Sequence, residues 1–187
     1  GNFNNEIGMP LSLVNMPIDT KVCILELGMN NKGEIKKLTK IASPTISIIT
    51  NIGLAHVGNF NEPKDIAKEK AYIYDSLNEE SFALIPNDSP YSKLLIKRAS
   101  RKTQNIVLFG VKGNTNSSLN KIEENKFIFS IFGKKVSLTK KNYFKHWEEN
   151  TLIILIILNI LKFNFVDFKK SIENLRPLDG RGKKKKN

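Results

Sequence analysis

The chain has 187 residues, 40% of them hydrophobic, and its 30 basic against 18 acidic side chains give a formal net charge of +12. That length holds one ordinary domain with a real core, and the apolar content excludes a disordered chain. The single Cys23 excludes an internal disulfide framework and fits a reducing, cytoplasmic compartment; its place in an apolar run predicts a buried, inert thiol.

The opening GNFNNEIGMP has no basic stretch followed by an apolar one, so no signal peptide is expected. Val22 to Leu27 (VCILEL), ended by Gly28, reads as a strand buried on both faces. Gly33 to Ile41 follows as a short amphipathic helix. Beyond Pro44, Thr45 to Thr50 (TISIIT) is a β-branched strand, and its loop carries Gly53, His56 and Gly58. Pro63 then opens a helix to about Leu77, as proline at a first turn should. Strands at Phe82 to Ile85 and Ile106 to Phe109 flank a helix near Tyr91 to Ala99. This alternation predicts an α/β fold with a mostly parallel sheet flanked by helices.

After Gly113 the texture changes. Alternating apolar positions around turns at Glu124-Asn125 and Gly133-Lys134 predict a small antiparallel subregion. Two helices close the pattern, Trp147 to Leu161 and Val166 to Leu175. The apolar stretch Leu152 to Leu161 is too short to cross a bilayer and reads as a buried helix. Pro177 and Gly180-Arg181-Gly182 read as a boundary, so residues 1–176 form one domain and 177–187 a junction. Four of the positive charges are Lys183 to Lys186, and the others are dispersed without interleaved aromatic residues. Neither a nucleic-acid partner nor a membrane is expected.

Three residues sit where folding rules alone would not place them. Glu26, near the carboxyl end of a buried strand, is costly unless it is paired in a salt bridge or holds a cation. Lys70 falls within about 40° of the centre of the stripe made by Ile66, Ile73 and Leu77, so it either snorkels or has a special task. His56 lies beyond the strand TISIIT, on the side where open parallel sheets bind ligands; taken singly, it is an ordinary loop histidine. If the two strands are neighbours, Glu26 and His56 share one crevice and suggest a divalent-metal site. No GxxxxGK[ST] loop, dinucleotide fingerprint or GxSxG elbow occurs.

At these residues the chain resembles the Mur ligases of peptidoglycan synthesis. The matching segments are GNFNNEIGMP (1–10), ILELGMNNKGEI (24–35), TNIGLAHVGNF (50–60), AKEKAYIY (67–74) and HWEEN (146–150). The first two are similar to the branch that adds D-alanyl-D-alanine to UDP-N-acetylmuramoyl-tripeptide; the alternatives are a sister Mur or folylpolyglutamate-type ligase, which would lack GNFNNEIG, and a non-catalytic nucleotide-binding fragment. The resemblance implies a central ATP-binding domain between two others, with the phosphate-loop portion and the neighbouring domains lying outside this segment. It implies an incomplete chain, inactive alone.

The resemblance also implies roles. Glu26 would hold a magnesium ion bridging the ATP phosphates, and His56 a second magnesium nearer the acceptor. Lys70 would be carbamylated by carbon dioxide, which turns an ammonium into an anionic ligand able to face a metal. Asn2, His146 and Asn150 would contact the adenine nucleotide, and Arg181 its ribose or phosphates. Asn4 and Asn5 would belong to the nucleotide-sugar site. Trp147 stands where the family often has asparagine. The implied reaction is phosphorylation of the tripeptide carboxylate by ATP, followed by attack of the dipeptide amine on the acyl phosphate.

Overall fold

The computed structural model describes residues 3–53, 60, 62–111, 115–123, 125–139 and 147–176. It divides into two compact units, one ending at Ile106 and one beginning at Val107.

The first unit contains α1 (Gly8–Val14), α2 (Glu34–Ala42), β1 (Ile46–Ile48), α3 (Pro63–Lys70), β2 (Phe82–Pro86) and α4 (Ser92–Ala99). β1 and β2 pair in parallel, with Ile46 opposite Phe82 and Ile48 opposite Leu84, so α3 lies on a strand-to-strand crossover. Pro63 starts α3 as expected, but the α-helix ends at Lys70 and tightens into a 3₁₀ turn over Ala71–Tyr74. The change of pitch rotates Tyr74 into the core, where its hydroxyl donates to the Leu84 carbonyl at 3.0 Å. Carbonyls at a helix end lack intrahelical partners. That of Ile73 accepts from both Thr39 and Ser47 hydroxyls, each at 3.0 Å, and so ties α2 and β1 to the turn after Lys70.

One strand expectation fails. Val22 to Leu27 forms no strand, and Val22 and Ile24 are 44% and 89% exposed. Cys23 and Glu26 are exposed too, not buried. An apolar run has strand propensity, but a strand exists only when a neighbour pairs its backbone groups. Among the described residues this run forms no ladder. Its fixed point is the Gly28 N–H, which donates to the Asn4 carbonyl at 2.8 Å. The approach is so close that a Cβ on Gly28 would sit 2.8 Å from the Asn4 amide nitrogen.

The second unit contains β3 (Ile106–Gly110, starting at the boundary), β4 (Ser117–Glu123), β5 (Lys126–Ile131), β6 (Lys134–Thr139), α5 (Trp147–Ile160) and α6 (Phe165–Glu173). β3 and β4 are parallel, whereas β4, β5 and β6 run antiparallel, which is the expected small subregion within an α/β fold. The β5–β6 connection is Phe132-Gly133, one residue earlier than expected, with φ of 46° and 81°. Two-residue hairpins need positive φ at both positions to match the strand twist. Trp147 is buried against Phe127 and Phe129, at ring separations of 5.1 and 6.4 Å, which makes it a packing residue. Among the described residues no helix is long and apolar enough to cross a membrane.

Candidate functional site

A cavity of about 660 Å³ in the first unit gathers four of the sequence-predicted residues: Asn4, Asn5, Glu26 and Lys70. Asn51, which follows β1, adds to its polar lining, as do Glu6, Asn30, Glu34 and Thr50. The Asn4 amide donates to Glu26 Oε1 at 3.2 Å, which holds the carboxylate against the N-terminal segment. Asn5 has a local task as well. Its side-chain oxygen accepts from the Gly8 and Ile7 N–H groups at 2.7 and 3.2 Å, satisfying donors at the start of α1.

Lys70 is half-buried, and its Nζ donates to the Asn51 carbonyl at 2.9 Å. Burial disfavours the ammonium and pulls its pKa below the ordinary lysine value. The periodicity argument for Lys70 therefore holds, and Lys64 and Lys68 point outward as the same argument requires.

His56, Asn2, His146 and Arg181 lie outside the described residues. Asn150 is exposed on the first turn of α5, in the second unit. Among the described residues no group of three or more His, Cys, Asp or Glu side chains converges as a metal cluster would. The cavity instead offers hard oxygen donors, the Glu26 carboxylate and the Asn4 and Asn51 oxygens. These suit magnesium or calcium, while an unmodified Lys70 ammonium opposes either ion.

Sequence reasoning passed over two carboxylates: Glu34, which lines this cavity, and Glu69, which directly precedes Lys70 on α3. Glu34 accepts from the N–H groups of Asn30 (2.6 Å) and Asn31 (3.2 Å) and from the Asn31 amide (2.9 Å), closing the loop before α2. The Asn30 N–H, ahead of the other contacts, holds its pKa below the usual carboxylate value. Glu69 is only 3% exposed and accepts from Gly33 N–H at 2.9 Å and Ile35 N–H at 3.2 Å, so it caps α2 from a different helix. The signal for Glu69 was present: it lies three residues after Ile66 and four before Ile73, on the same inward stripe as Lys70. Glu69→Ala should leave one buried and one part-buried donor unsatisfied and remove a charge from the α2 N-terminus, costing about 2–4 kcal/mol. Urea unfolding of the variant beside the parent measures this, and a loss under 0.5 kcal/mol, within the ordinary range for surface changes, would refute the capping role.

Residues 1–158 match the family model for the Mur ligase middle domain. The chain is 31% identical to the UDP-N-acetylmuramoyl-tripeptide–D-alanyl-D-alanine ligase of Rickettsia prowazekii over 98% of this chain and 42% of that protein. It is 41% identical to the ligase of the same name from Bacillus subtilis, over 48% of this chain and 20% of that one. Its fold matches the crystal structure of MurF ligase from Thermotoga maritima in complex with ADP at a TM-score of 0.78. That match, at 25% identity, covers 97% of this chain and 42% of the other. The chain thus spans less than half the length of these relatives. With residues 1–158 of its 187 matched by that family model, the chain belongs to the Mur ligase family.

Proposed function

We propose that this chain is the central, nucleotide-handling part of a cytoplasmic ligase that uses ATP to join D-alanyl-D-alanine to UDP-N-acetylmuramoyl-tripeptide. The observation that carries the reading is the single cavity holding Glu26, Asn4, Asn5 and the half-buried Lys70. Its support from relatives is that the named ligases align with nearly the whole chain or with about half of it.

In this reading Glu26 and a carbamylated Lys70 hold magnesium, with His56 at a second ion. Bound magnesium supplies charge neutralisation between the ATP phosphates and the substrate carboxylate. The chain's own residues position the reactants. Asn4 and Asn5 orient the nucleotide sugar, Asn2, His146 and Asn150 the adenine nucleotide, and Arg181 closes on the ribose or phosphates from the junction at 177–187. The amine of the dipeptide then displaces phosphate from the activated carboxyl carbon and gives up a proton as the amide forms. Positioning of this kind is worth most when domains close around the reactants, so the remaining domains of the same protein are the chain's main partners.

The test is release of inorganic phosphate by the complete ligase. Release should require ATP, the UDP-linked tripeptide and D-alanyl-D-alanine together, and the isolated chain should stay at background. Release that proceeds equally well without the dipeptide would overturn the assignment.

A further inference from the structure

A second concavity, of about 340 Å³, opens in the first unit between Lys36 and Lys40 of α2, Asp75, Arg98 of α4, and Arg101 and Lys102. None of these residues lines the cavity around Lys70. Its charge is lopsided, with five cations facing one carboxylate. That carboxylate is already engaged: Arg98 grips Asp75 with two parallel contacts, Nε to Oδ1 at 2.6 Å and Nη2 to Oδ2 at 2.5 Å. The same guanidinium lies 4.4 Å from the Tyr72 ring centroid, and Lys36 Nζ lies 5.7 Å from that ring. Arg98 is therefore a fixed fork, oriented before any ligand arrives.

Lys36, Lys40, Arg101 and Lys102 are exposed and have no ion-pair partner among the described residues. Cations gather at helix carboxyl ends for an ordinary reason, and Lys40 and Arg98 do occupy the last turns of α2 and α4. Each helix end carries only about half a negative charge, so two ends offset roughly one of the four uncompensated cations. About three remain, converging from α2, α4 and the turn that follows it. A singly charged ligand would leave most of that repulsion in place. A flat anionic surface would not enter a concavity.

We propose that this pocket binds a compact polyphosphate anion, of which pyrophosphate is the simplest member. It is a site separate from the ligase cavity, and it rests on none of the residues assigned there. Arg98, fixed by Asp75 and Tyr72, forms part of the pocket's lining, and the three lysines and Arg101 supply the charge that the anion neutralises.

Calorimetric titration of the chain with pyrophosphate at low ionic strength tests this. One-to-one binding is expected, weakened at least about tenfold in the double variant Lys40→Glu/Lys102→Glu, since each reversal turns an attraction into a repulsion. Both side chains are exposed, so the variant should keep the parent's circular dichroism. Lys70→Ala should bind pyrophosphate as the parent does. No heat with pyrophosphate, or a loss in Lys70→Ala while the double variant binds normally, would overturn the proposal. So would adsorption to phosphatidylglycerol vesicles without any pyrophosphate binding, which would mark a diffuse surface patch. Any of these results leaves the ligase assignment standing, because phosphate release with the three substrates tests that separately.

Discussion

Lys70→Ala in the complete ligase should lower turnover by about 10²–10³-fold or more, the usual scale for losing a group that stabilises developing charge in a closed site. The amine is half-buried, and burial is what lowers its pKa. At a given pH more of it is therefore neutral, and only the neutral amine has the lone pair that attacks carbon dioxide. In forming the carbamate the ammonium would first lose one proton, the neutral nitrogen would bond to carbon as a carbon–oxygen π bond of carbon dioxide opens, and a second proton would leave, so that a group that was +1 becomes −1. That reversal converts a side chain opposed to magnesium into one that can hold it. Lys70→Arg separates this role from a simpler one. Arginine keeps a positive charge and can still donate to the Asn51 carbonyl, yet it does not carbamylate. It should be as inactive as alanine, and a rate near the parent's would end the carbamate argument. In the chain itself, ¹³C-bicarbonate should produce a carbamate carbonyl resonance that Lys70→Ala lacks.

Trp147→Ala should cost about 3–5 kcal/mol, the range for deleting a buried aromatic side chain. Trp147 is 1% exposed and begins α5 against Phe127 and Phe129 of β5, so its loss opens a hole between a helix and the hairpin it covers. It is the sole tryptophan, so the measurement needs circular dichroism and not indole fluorescence. Trp147→Phe should recover a good part of the loss. An alanine variant as stable as the parent would mean that the aromatic cluster does not hold the second unit together. The family resemblance left open whether position 147 provides a polar contact; its ring packs against Phe127 and Phe129.

What the sequence revealed, and what it hid, divides along a physical line. Patterns local to a few turns were readable: Pro63 at a helix start, the inward position of Lys70, the β-branched core of β1, and the alternation that builds β4 to β6. Events that depend on a distant neighbour were not. Glu69 caps a helix whose first turn lies 34 residues away, and no local signal names that partner. VCILEL has every local mark of a buried strand, yet Ile24 is nearly fully exposed, because pairing is a property of two segments and not of one. The tightening at Ala71 brought Tyr74 into the core beside the expected Ile66 and Leu77, a change too small for periodicity to register.

The two sides of the ligase cavity differ in mechanical character. Behind Lys70, a single carbonyl gathers hydroxyls from a helix and a strand, and a buried carboxylate from the adjoining helix grips the next loop. Opposite, the contacts seen among the described residues tie the segment carrying Glu26 to Asn4, one through the main chain and one through the side chain. A molecule settling between them meets an anvil on one side and a spring on the other. Adjustment to its shape will come from the spring.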